Sequence, residues 1–436
     1  MTSLTKDDLL ANLSQKLNQP SQPLYTLSTL PNSFYHIDQL AVFQQIETRQ
    51  KILNHAGIAS PYFLSHQTIA RETTTIDNQN YINFASYNYL GLNGLNAISD
   101  AAKQAIDQYG TSVSSSRIVS GERPLHRRLE QAIANVYRAE DAVVFVSGHA
   151  TNVSTIGHLF GKDDLILHDE LSHNSIIQGA LLSGAARLSF PHNDIHALTK
   201  LLQQHRLKYQ KTLIVTEGLF SMDGDMPPLA ELVKLKRHYK TFLMVDEAHS
   251  LGVLGNTGKG IFEQQNIDPN HIDIWMGTLS KTLASCGGYI AGNKKLIEYL
   301  RYTAPGFLYS VGLAPPLAAA SLAAIEYWQS HSERVSQLQK NSAYFLQQAK
   351  RHQLNTGHAQ GFAIIPIVIG HSLKTVKIAQ RLMTEPHIIA QPVIYPAIPE
   401  KHARLRFFIA SDHRKNQIDQ TIQALSHIIL ETNHHA

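Results

Sequence analysis

The sequence contains very little cysteine and comparatively little charge. Cys286 is the single thiol among 436 residues, so the chain can form neither an intrachain disulfide nor a cysteine cluster for zinc or an iron–sulfur centre. Asp, Glu, Lys and Arg together make up 17% of the chain, against about 25% in an average soluble domain. The lone thiol indicates a reducing compartment, and the low charge indicates much covered surface, as in an obligate oligomer or a large α/β enzyme.

Signals for membranes, secretion and nucleic acids are missing as well. No apolar run approaches the roughly 18 residues of a membrane-spanning helix. The opening segment, MTSLTKDDLL, places acids where a secretion signal needs a basic segment and an apolar core. The formal net charge is +4, without a basic stripe. We therefore expect a cytoplasmic protein with no integral membrane segment and no nucleic-acid partner.

The chain is predicted to have three parts. These are an N-terminal helical extension over residues 1–65, a large domain over residues 66–316 and a small α+β domain over residues 317–436. The helical patterns of the extension cover Lys6–Leu17 and Ile37–Ala56, with a Pro- and Ser-rich stretch between them.

The small domain combines both kinds of periodicity. It shows a long helical pattern over Ala318–His352, strands at Phe362–Ile369 and Arg404–Ile409, a helix at Thr375–Met383 and a terminal helix from Gln417. Mixed elements of this kind predict an α+β arrangement.

The large domain alternates short apolar runs with helical stretches, after a first strand at Tyr81–Ser86. Runs that are apolar on both faces and joined by helices predict a mostly parallel sheet covered on both sides. The six clearest runs are Ala142–Val146, Leu165–Leu167, Leu213–Thr216, Phe242–Val245, Ile274–Met276 and Tyr289–Ala291. Such sheets bind ligands beyond the carboxyl ends of their strands.

Polar residues follow three of these runs. Asp246 ends one run and precedes His249, which indicates either a functional carboxylate or a core ion pair. Lys281 follows another run and is either a partly desolvated amine nucleophile or a surface lysine. The segment Ser147–Ala150 turns from a strand into a helix, whose free amides could hold a phosphate, although Gly and Ser also serve turn geometry alone.

Together these features match a pyridoxal phosphate site, with a lysine for the Schiff base, an aspartate for the pyridine nitrogen, and amides and hydroxyls for the phosphate. From about Tyr81 to Asp412 the chain resembles the α-oxoamine synthase family, whose members are fold-type I pyridoxal phosphate enzymes. The resemblance implies an α/β fold whose large domain has a mostly parallel seven-stranded sheet. The resemblance rests on eight segments in order: Asn83–Gly91, Ser115–Gly121 followed by His126 and Glu130, Leu171–His173, Glu217–Gly224, Val245–His249, Thr278–Lys281, Tyr309–Pro316 and Ala403–Arg406.

The resemblance implies three catalytic residues, Lys281, His173 and Asp246. Lys281 corresponds to the lysine that binds the cofactor and takes the α-proton of the amino acid. Asp246 corresponds to the partner of the pyridine nitrogen, and His249 to the residue that hydrogen-bonds the phenolic oxygen. His173 corresponds to the histidine that stacks on the ring and positions the substrate acid.

The resemblance also implies contacts around the cofactor and substrate. The cofactor contacts beyond those above are the backbone amides of Gly148 and His149, the side chain of Thr278, Ser221 near the ring edge, and Ser310. Ser310 would reach the phosphate of the neighbouring subunit's cofactor, so a homodimer with shared active sites is implied. Arg406 would hold the α-carboxylate of the amino acid, while Asn88 and Ser116 would line the amino-acid pocket. No metal is expected.

The implied reaction is a decarboxylative condensation of a small amino acid with an acyl thioester, which gives an α-amino ketone, carbon dioxide and a free thiol. Ser116 stands where glycine-specific members carry Thr, so alanine or serine is expected in preference to glycine. Arginines that pair with dicarboxylic donors in other members are missing from residues 57–63 and from the segment around Ile394–Pro396. A monocarboxylic, long acyl chain on coenzyme A or an acyl carrier protein is therefore predicted. His149 also departs from the Phe or Tyr that many members carry.

The sequence motifs do not support a helicase or a metal hydrolase. Asp246–His249 spells the acidic motif of helicases, but Gly252–Gly260 fails the spacing of a phosphate-binding loop. The H-E-x-x-H motif of metal hydrolases does not occur in the sequence. Another fold-type I activity, such as that of an aminotransferase, remains the alternative. The extension before residue 65 either shapes the acyl entrance or docks a carrier protein, or it only buttresses the dimer.

Overall fold

The computed structural model describes residues 24–434. The chain divides into two units between Ser60 and Pro61, and each is described by itself. The boundaries predicted at residues 65 and 316 stay predictions.

The first unit contains one α-helix within its described residues. This helix, α1, covers Ala41–His55 and follows two short 3-10 turns. The helix predicted over Ile37–Ala56 is thus confirmed with a later start, because the segment before Ala41 forms the second of those turns. The helix predicted over Lys6–Leu17 lies outside the described residues.

The second unit contains the strands. In chain order they are β1 (Thr73–Ile76), β2 (Gln79–Asn83), β3 (Asp141–Phe145), β4 (Leu165–Asp169), β5 (Ala186–Phe190), β6 (Thr212–Glu217), β7 (Phe242–Asp246), β8 (Ile274–Thr278), β9 (Gly288–Gly292), β10 (Ile364–Val368), β11 (Ile388–Ile389), β12 (Gln391–Val393) and β13 (Arg404–Phe408). Seven of them form the main sheet, in the order β3-β9-β8-β7-β6-β4-β5. All are parallel except β9, which runs antiparallel to both of its neighbours.

Helices cover this sheet and form much of the remaining structure. They are α2 (Asn96–Tyr109), α3 (Pro124–Tyr137), α4 (Gly148–Leu159), α5 (Asn174–Ser183), α6 (Ile195–His205), α7 (Leu229–Tyr239), α8 (Ile261–Gln264), α9 (Lys294–Thr303), α10 (Pro305–Leu308), α11 (Pro315–Ser330), α12 (Glu333–Arg351), α13 (Ser372–Thr384) and α14 (Lys415–His434). Among the helices of residues 24–434, none combines the length and the apolar run that a bilayer span requires.

Alternate residues of the main strands supply two separate apolar cores. Val144 and Leu167 belong to the larger core, whereas their chain neighbours Val143 and Ile166 belong to the smaller one. Successive strand residues point to opposite faces, so this alternation places one core on each side of the sheet. It explains why these strands read as continuous apolar runs, and it confirms the α/β fold of the fold-type I enzymes.

Two three-stranded sheets complete the unit. One has the order β1-β2-β11 and the other the order β10-β13-β12. Arg406 lies on β13, the central strand of the second sheet, where it pairs with Pro366 of β10 and Gln391 of β12. This central position holds the Arg406 backbone by strand pairing on both sides.

Several features differ from the sequence prediction. The strand predicted at Tyr81–Ser86 is β2, which covers Gln79–Asn83 and belongs to the sheet β1-β2-β11 instead of the main sheet. β5 was missed because it is an edge strand whose Arg187 and Ser189 are exposed, so its residues alternate instead of forming an apolar run. The long helical stretch predicted over Ala318–His352 is helical but interrupted, because α11 ends at Ser330 and α12 begins at Glu333. At the break the Ser330 hydroxyl donates to main-chain carbonyls of the preceding turn, which competes with the helical pattern.

Candidate functional site

The predicted catalytic residues meet at the carboxyl ends of the central strands. A cavity of about 190 Å³ opens there, beyond the ends of β6, β7 and β8. Seven predicted site residues line it: Gly148, His149, His173, Asp246, His249, Thr278 and Lys281. The parallel strands bring these residues together because their carboxyl ends share one edge of the sheet. Their assigned roles stay predictions.

Asp246 lies at the end of β7 and is 5% exposed. Its Oδ1 accepts a hydrogen bond from the Ala248 amide at 2.9 Å, and its Oδ2 accepts one from Asn152 Nδ2 at 2.8 Å. No Lys, Arg or His nitrogen within residues 24–434 forms an ion pair with this carboxylate. The alternative of a core ion pair is therefore not observed, and a buried acceptor faces the cavity.

A second carboxyl group, that of Glu217, lies beside Asp246. The two residues are register partners at the ends of β6 and β7. Burial, and secondarily the negative charge of Asp246, raise the pKa of Glu217 to about 8. Its Oε1 accepts a hydrogen bond from the His173 amide at 2.6 Å. Sequence reasoning did not select Glu217 as a site residue, although it ends a buried run in the same way as Asp246.

The Lys281 amine is partly desolvated. Burial lowers its pKa to about 8, and the charges of Asp246 and Glu217 oppose that change. Nζ lies 5.6 Å from the centre of the Tyr87 ring. An amine of lowered pKa is deprotonated more readily near neutral pH, which is the form that acts as a nucleophile or base. This environment argues against the surface-lysine interpretation.

His249 is held by a tyrosine that sequence reasoning also missed. Nδ1 of His249 lies 2.7 Å from the hydroxyl oxygen of Tyr89, which is fully buried. Burial lowers the pKa of His249 well below its usual value, and the nearby charge of Lys281 adds to the effect. The lowered pKa favours the neutral imidazole.

Another part of the cavity wall, at the N-terminus of α4, is suited to bind an anion. Ser147 caps α4 by accepting a hydrogen bond from the Ala150 amide at 3.4 Å. The amides of Gly148 and His149 have no acceptor within the described part of the chain. A Cβ atom on Gly148 would lie 2.9 Å from Oγ1 of Thr278, so only glycine allows this approach. Free amides at a helix N-terminus suit a phosphate group.

These groups fit pyridoxal phosphate by their chemistry. The uncompensated Asp246 carboxylate suits a protonated pyridine nitrogen, the Lys281 amine suits an aldehyde, and the α4 N-terminus suits a phosphate. Cys286 is exposed and lies on the wall of this cavity.

Arg406 does not line this cavity, although its charge acts on Lys281 and His249. It is 8% exposed, and its Nη1 donates to the Ser221 carbonyl at 3.0 Å. Its buried Nε has no hydrogen-bond partner, and no carboxylate within residues 24–434 pairs with it. A buried guanidinium without a counter-ion retains donors for an incoming carboxylate. The Ser221 backbone, not its side chain, makes the described contact.

Asn88 lies in a second cavity of about 230 Å³, which also reaches Lys281. Its Oδ1 accepts a hydrogen bond from the Asn93 amide at 3.1 Å, which fixes the side chain against its own loop. The two cavities therefore approach the same lysine.

Ser116 and Ser310 line neither cavity within one chain. Their loops adjoin each other, since the Gly312 amide donates to the Ser115 carbonyl at 3.0 Å. Tyr309, next to Ser310, is 87% exposed. These two predicted contacts are thus not brought to the other site residues by the fold of a single chain.

Comparison with known proteins gives the family. The family model described as aminotransferase class I and II matches residues 79–425. The chain is 36% identical to 8-amino-7-oxononanoate synthase of Bacillus pumilus, over 82% of this chain and 92% of that protein.

Solved structures agree with this result. Serine palmitoyltransferase of Sphingomonas wittichii superposes with a TM-score of 0.86 at 29% identity, covering 91% of this chain and 99% of that one. A serine palmitoyltransferase structure that carries PLP gives a TM-score of 0.85 at 26% identity, with the same two coverages. The chain therefore belongs to the aminotransferase class I and II family and, within it, to the α-oxoamine synthases, which are pyridoxal phosphate-dependent acyltransferases.

Proposed function

We propose that the chain condenses a small amino acid, alanine or serine in preference to glycine, with a monocarboxylic, long-chain acyl thioester. The donor carries its acyl group on coenzyme A or an acyl carrier protein, and the products are an α-amino ketone, carbon dioxide and the free thiol. The observation that carries this proposal is the joint placement of Lys281, Asp246 and His173 around one cavity at the sheet edge.

Each residue has a physical task in this reaction. Pyridoxal phosphate, when bound, supplies a ring that accepts negative charge from the carbon next to the substrate nitrogen. Asp246 would keep the ring nitrogen protonated, and the amides of Gly148 and His149 with Thr278 would hold the phosphate. Lys281 accepts the α-proton at Nζ, for which its lowered pKa is suited.

The amino acid is held from two sides. Arg406 pairs with the α-carboxylate, which supplies the counter-ion that this buried guanidinium lacks. His173 would donate to the same substrate acid and stack on the cofactor ring, and His249 would donate to the phenolic oxygen. Asn88 contributes to the wall of the amino-acid pocket.

A homodimer with shared sites forms part of the proposal. Ser116 and Ser310 lie together on adjoining loops and outside the cavity of their own chain. A second subunit would bring Ser310 to the partner's phosphate and would cover the exposed Tyr309. The predicted cytoplasmic location stays a prediction.

The test is a visible-absorbance titration of the purified protein with pyridoxal phosphate. The parent is expected to give the absorption band of a lysine-bound cofactor. Lys281→Ala should lose this band, whereas Lys200→Ala, a substitution at an exposed lysine on α6, should keep it. Persistence of the band in Lys281→Ala would reject the assignment of the lysine.

Substrates are then tested on the parent. Glycine, alanine and serine are titrated first, and acyl thioesters of increasing length on both carriers follow, with free thiol as the measured product. Thiol release with alanine or serine and a long acyl chain supports the proposal. Transfer of the amino group to a keto acid without thiol release would instead establish the aminotransferase alternative.

A further inference from the structure

A buried chain of hydrogen bonds joins Asp246 to His173 through two side chains of different helices. Asn152 on α4 donates through Nδ2 to Asp246 Oδ2 at 2.8 Å and to Ser175 Oγ at 2.9 Å. Ser175 on α5 lies with Oγ 2.7 Å from Nδ1 of His173. Asn152 and Ser175 are each 1% exposed, so water does not compete for these bonds.

The direction of each hydrogen bond follows from the number of available protons. The Asn152 amide has two protons, and its two acceptors use both. Ser175 Oγ accepts one of them and has a single proton left, whose one acceptor within residues 24–434 is His173 Nδ1. The Ser175 backbone N–H also points at Nδ1, at 3.3 Å. If Nδ1 carried a proton, it would face two groups that act as donors, the Ser175 hydroxyl and the Ser175 backbone N–H.

We propose that Asn152 and Ser175 are positioning residues that keep His173 neutral, with its proton on Nε2. The chain of bonds begins at the Asp246 carboxylate, so the residue proposed to contact the pyridine nitrogen and the residue proposed to stack on the ring belong to one network. His173 then presents a single donor, Nε2–H, to the substrate acid. This inference rests on the proposed function of the site.

Other groups around His173 act on its charge state and must be considered with the network. Burial is the largest effect and lowers the pKa of His173, while Asp246 raises it. Three neighbouring groups, Lys281, His149 and Arg406, lower the pKa of His173 further. Because Ser175 and Asn152 are uncharged, their contribution works through hydrogen bonding alone.

The chain offers a matched control for Ser175. Ser172 lies one residue before His173 and is also buried, but its hydroxyl has no hydrogen-bond partner within the described residues. Ser175→Ala and Ser172→Ala therefore remove the same atom from the same segment, and one of them cuts the network. A general loss of packing would affect both alike.

The experiment follows the His173 ring nitrogens by NMR in full-length protein labelled in histidine, with and without pyridoxal phosphate. Its signals are those missing from His173→Asn. The parent and Ser172→Ala should show an unprotonated Nδ1 and a protonated Nε2. In Ser175→Ala the pKa of His173 should rise by about 0.5 to 1, a roughly three- to tenfold gain in proton affinity, because the neutral ring loses a donor. Asn152→Ala should shift it in the same direction.

Two results would overturn the inference. One is a proton on Nδ1 in the parent. The other is an equal pKa of His173 in Ser175→Ala and Ser172→Ala. If no cofactor band forms, the proposed function fails, while the ring-nitrogen signals of the cofactor-free protein still decide whether the network exists.

Discussion

His192 contacts one aspartate with each of its ring nitrogens, and the loss of these contacts should destabilise the protein in a pH-dependent way. Its Nδ1 lies 2.9 Å from Asp169 Oδ1, and its Nε2 lies 2.8 Å from Asp225 Oδ2. Burial lowers the pKa of His192, but the bonds to the two carboxylates outweigh it and raise the pKa from 6.5 to about 10. His192→Gln removes the cation and leaves Asp169 and Asp225 without it.

The size and sign of the effect follow from that pKa. The difference between 6.5 and about 10 corresponds to about 5 kcal/mol. The His192 side chain is 15% exposed, and screening by solvent reduces the figure to about 2 kcal/mol. Because the folded-state pKa is the higher one, the stabilisation is complete below pH 6.5 and disappears as the pH approaches 10.

The assay is thermal unfolding at a series of pH values between 6 and 10. The midpoint of His192→Gln should lie a few degrees below that of the parent at pH 6 to 7, and the gap should close towards pH 10. His196→Gln, at an exposed histidine on α6, is the control and should follow the parent throughout. A gap that is constant or that widens with pH would refute the reasoning.

Two further substitutions test buried groups near the site. Glu217→Gln should remove a pH dependence, because burial and Asp246 raise the Glu217 pKa from 4.5 to about 8, so the folded parent loses stability as the pH rises through that interval. At pH 9 the variant should be the more stable protein by up to about 5 kcal/mol in denaturant unfolding, which is the pKa difference between 4.5 and about 8 converted to free energy, and parallel pH curves would contradict this. Gly224→Ala should cost about 2 to 4 kcal/mol, since Gly224 has a φ of +69° and a Cβ there would lie 2.0 Å from a backbone oxygen of β10. Gly161→Ala, where a Cβ meets nothing within 4 Å, is the control, and an equal loss in both would rule out this explanation.

The strand ends were predictable because buried strands carry a local signal. Asp246 and Lys281 each follow a continuous apolar run, and parallel strands necessarily share an edge. The family resemblance added the roles of His173 and Arg406, which no local pattern assigns. The strand ends needed only the chain near each residue, whereas the two roles needed eight segments spread along the chain.

The supporting residues were not predictable in the same way. Asn152 is 94 residues from Asp246 along the chain, and Tyr89 is 160 residues from His249. Nothing in the composition of α4 or of the loop around Tyr89 distinguishes these side chains from ordinary polar residues. Their partners are set by the packing of helices on the sheet, so the bonds become visible only in three dimensions.

The lone cysteine has a practical consequence. Cys286 is the single thiol of the sequence, and it lies exposed on the wall of the cavity that holds Lys281. A thiol-directed fluorophore or spin label would therefore attach at one place only, beside the site, without any engineered substitution. A label on Cys286 of the unmodified chain would therefore report whether that cavity is filled.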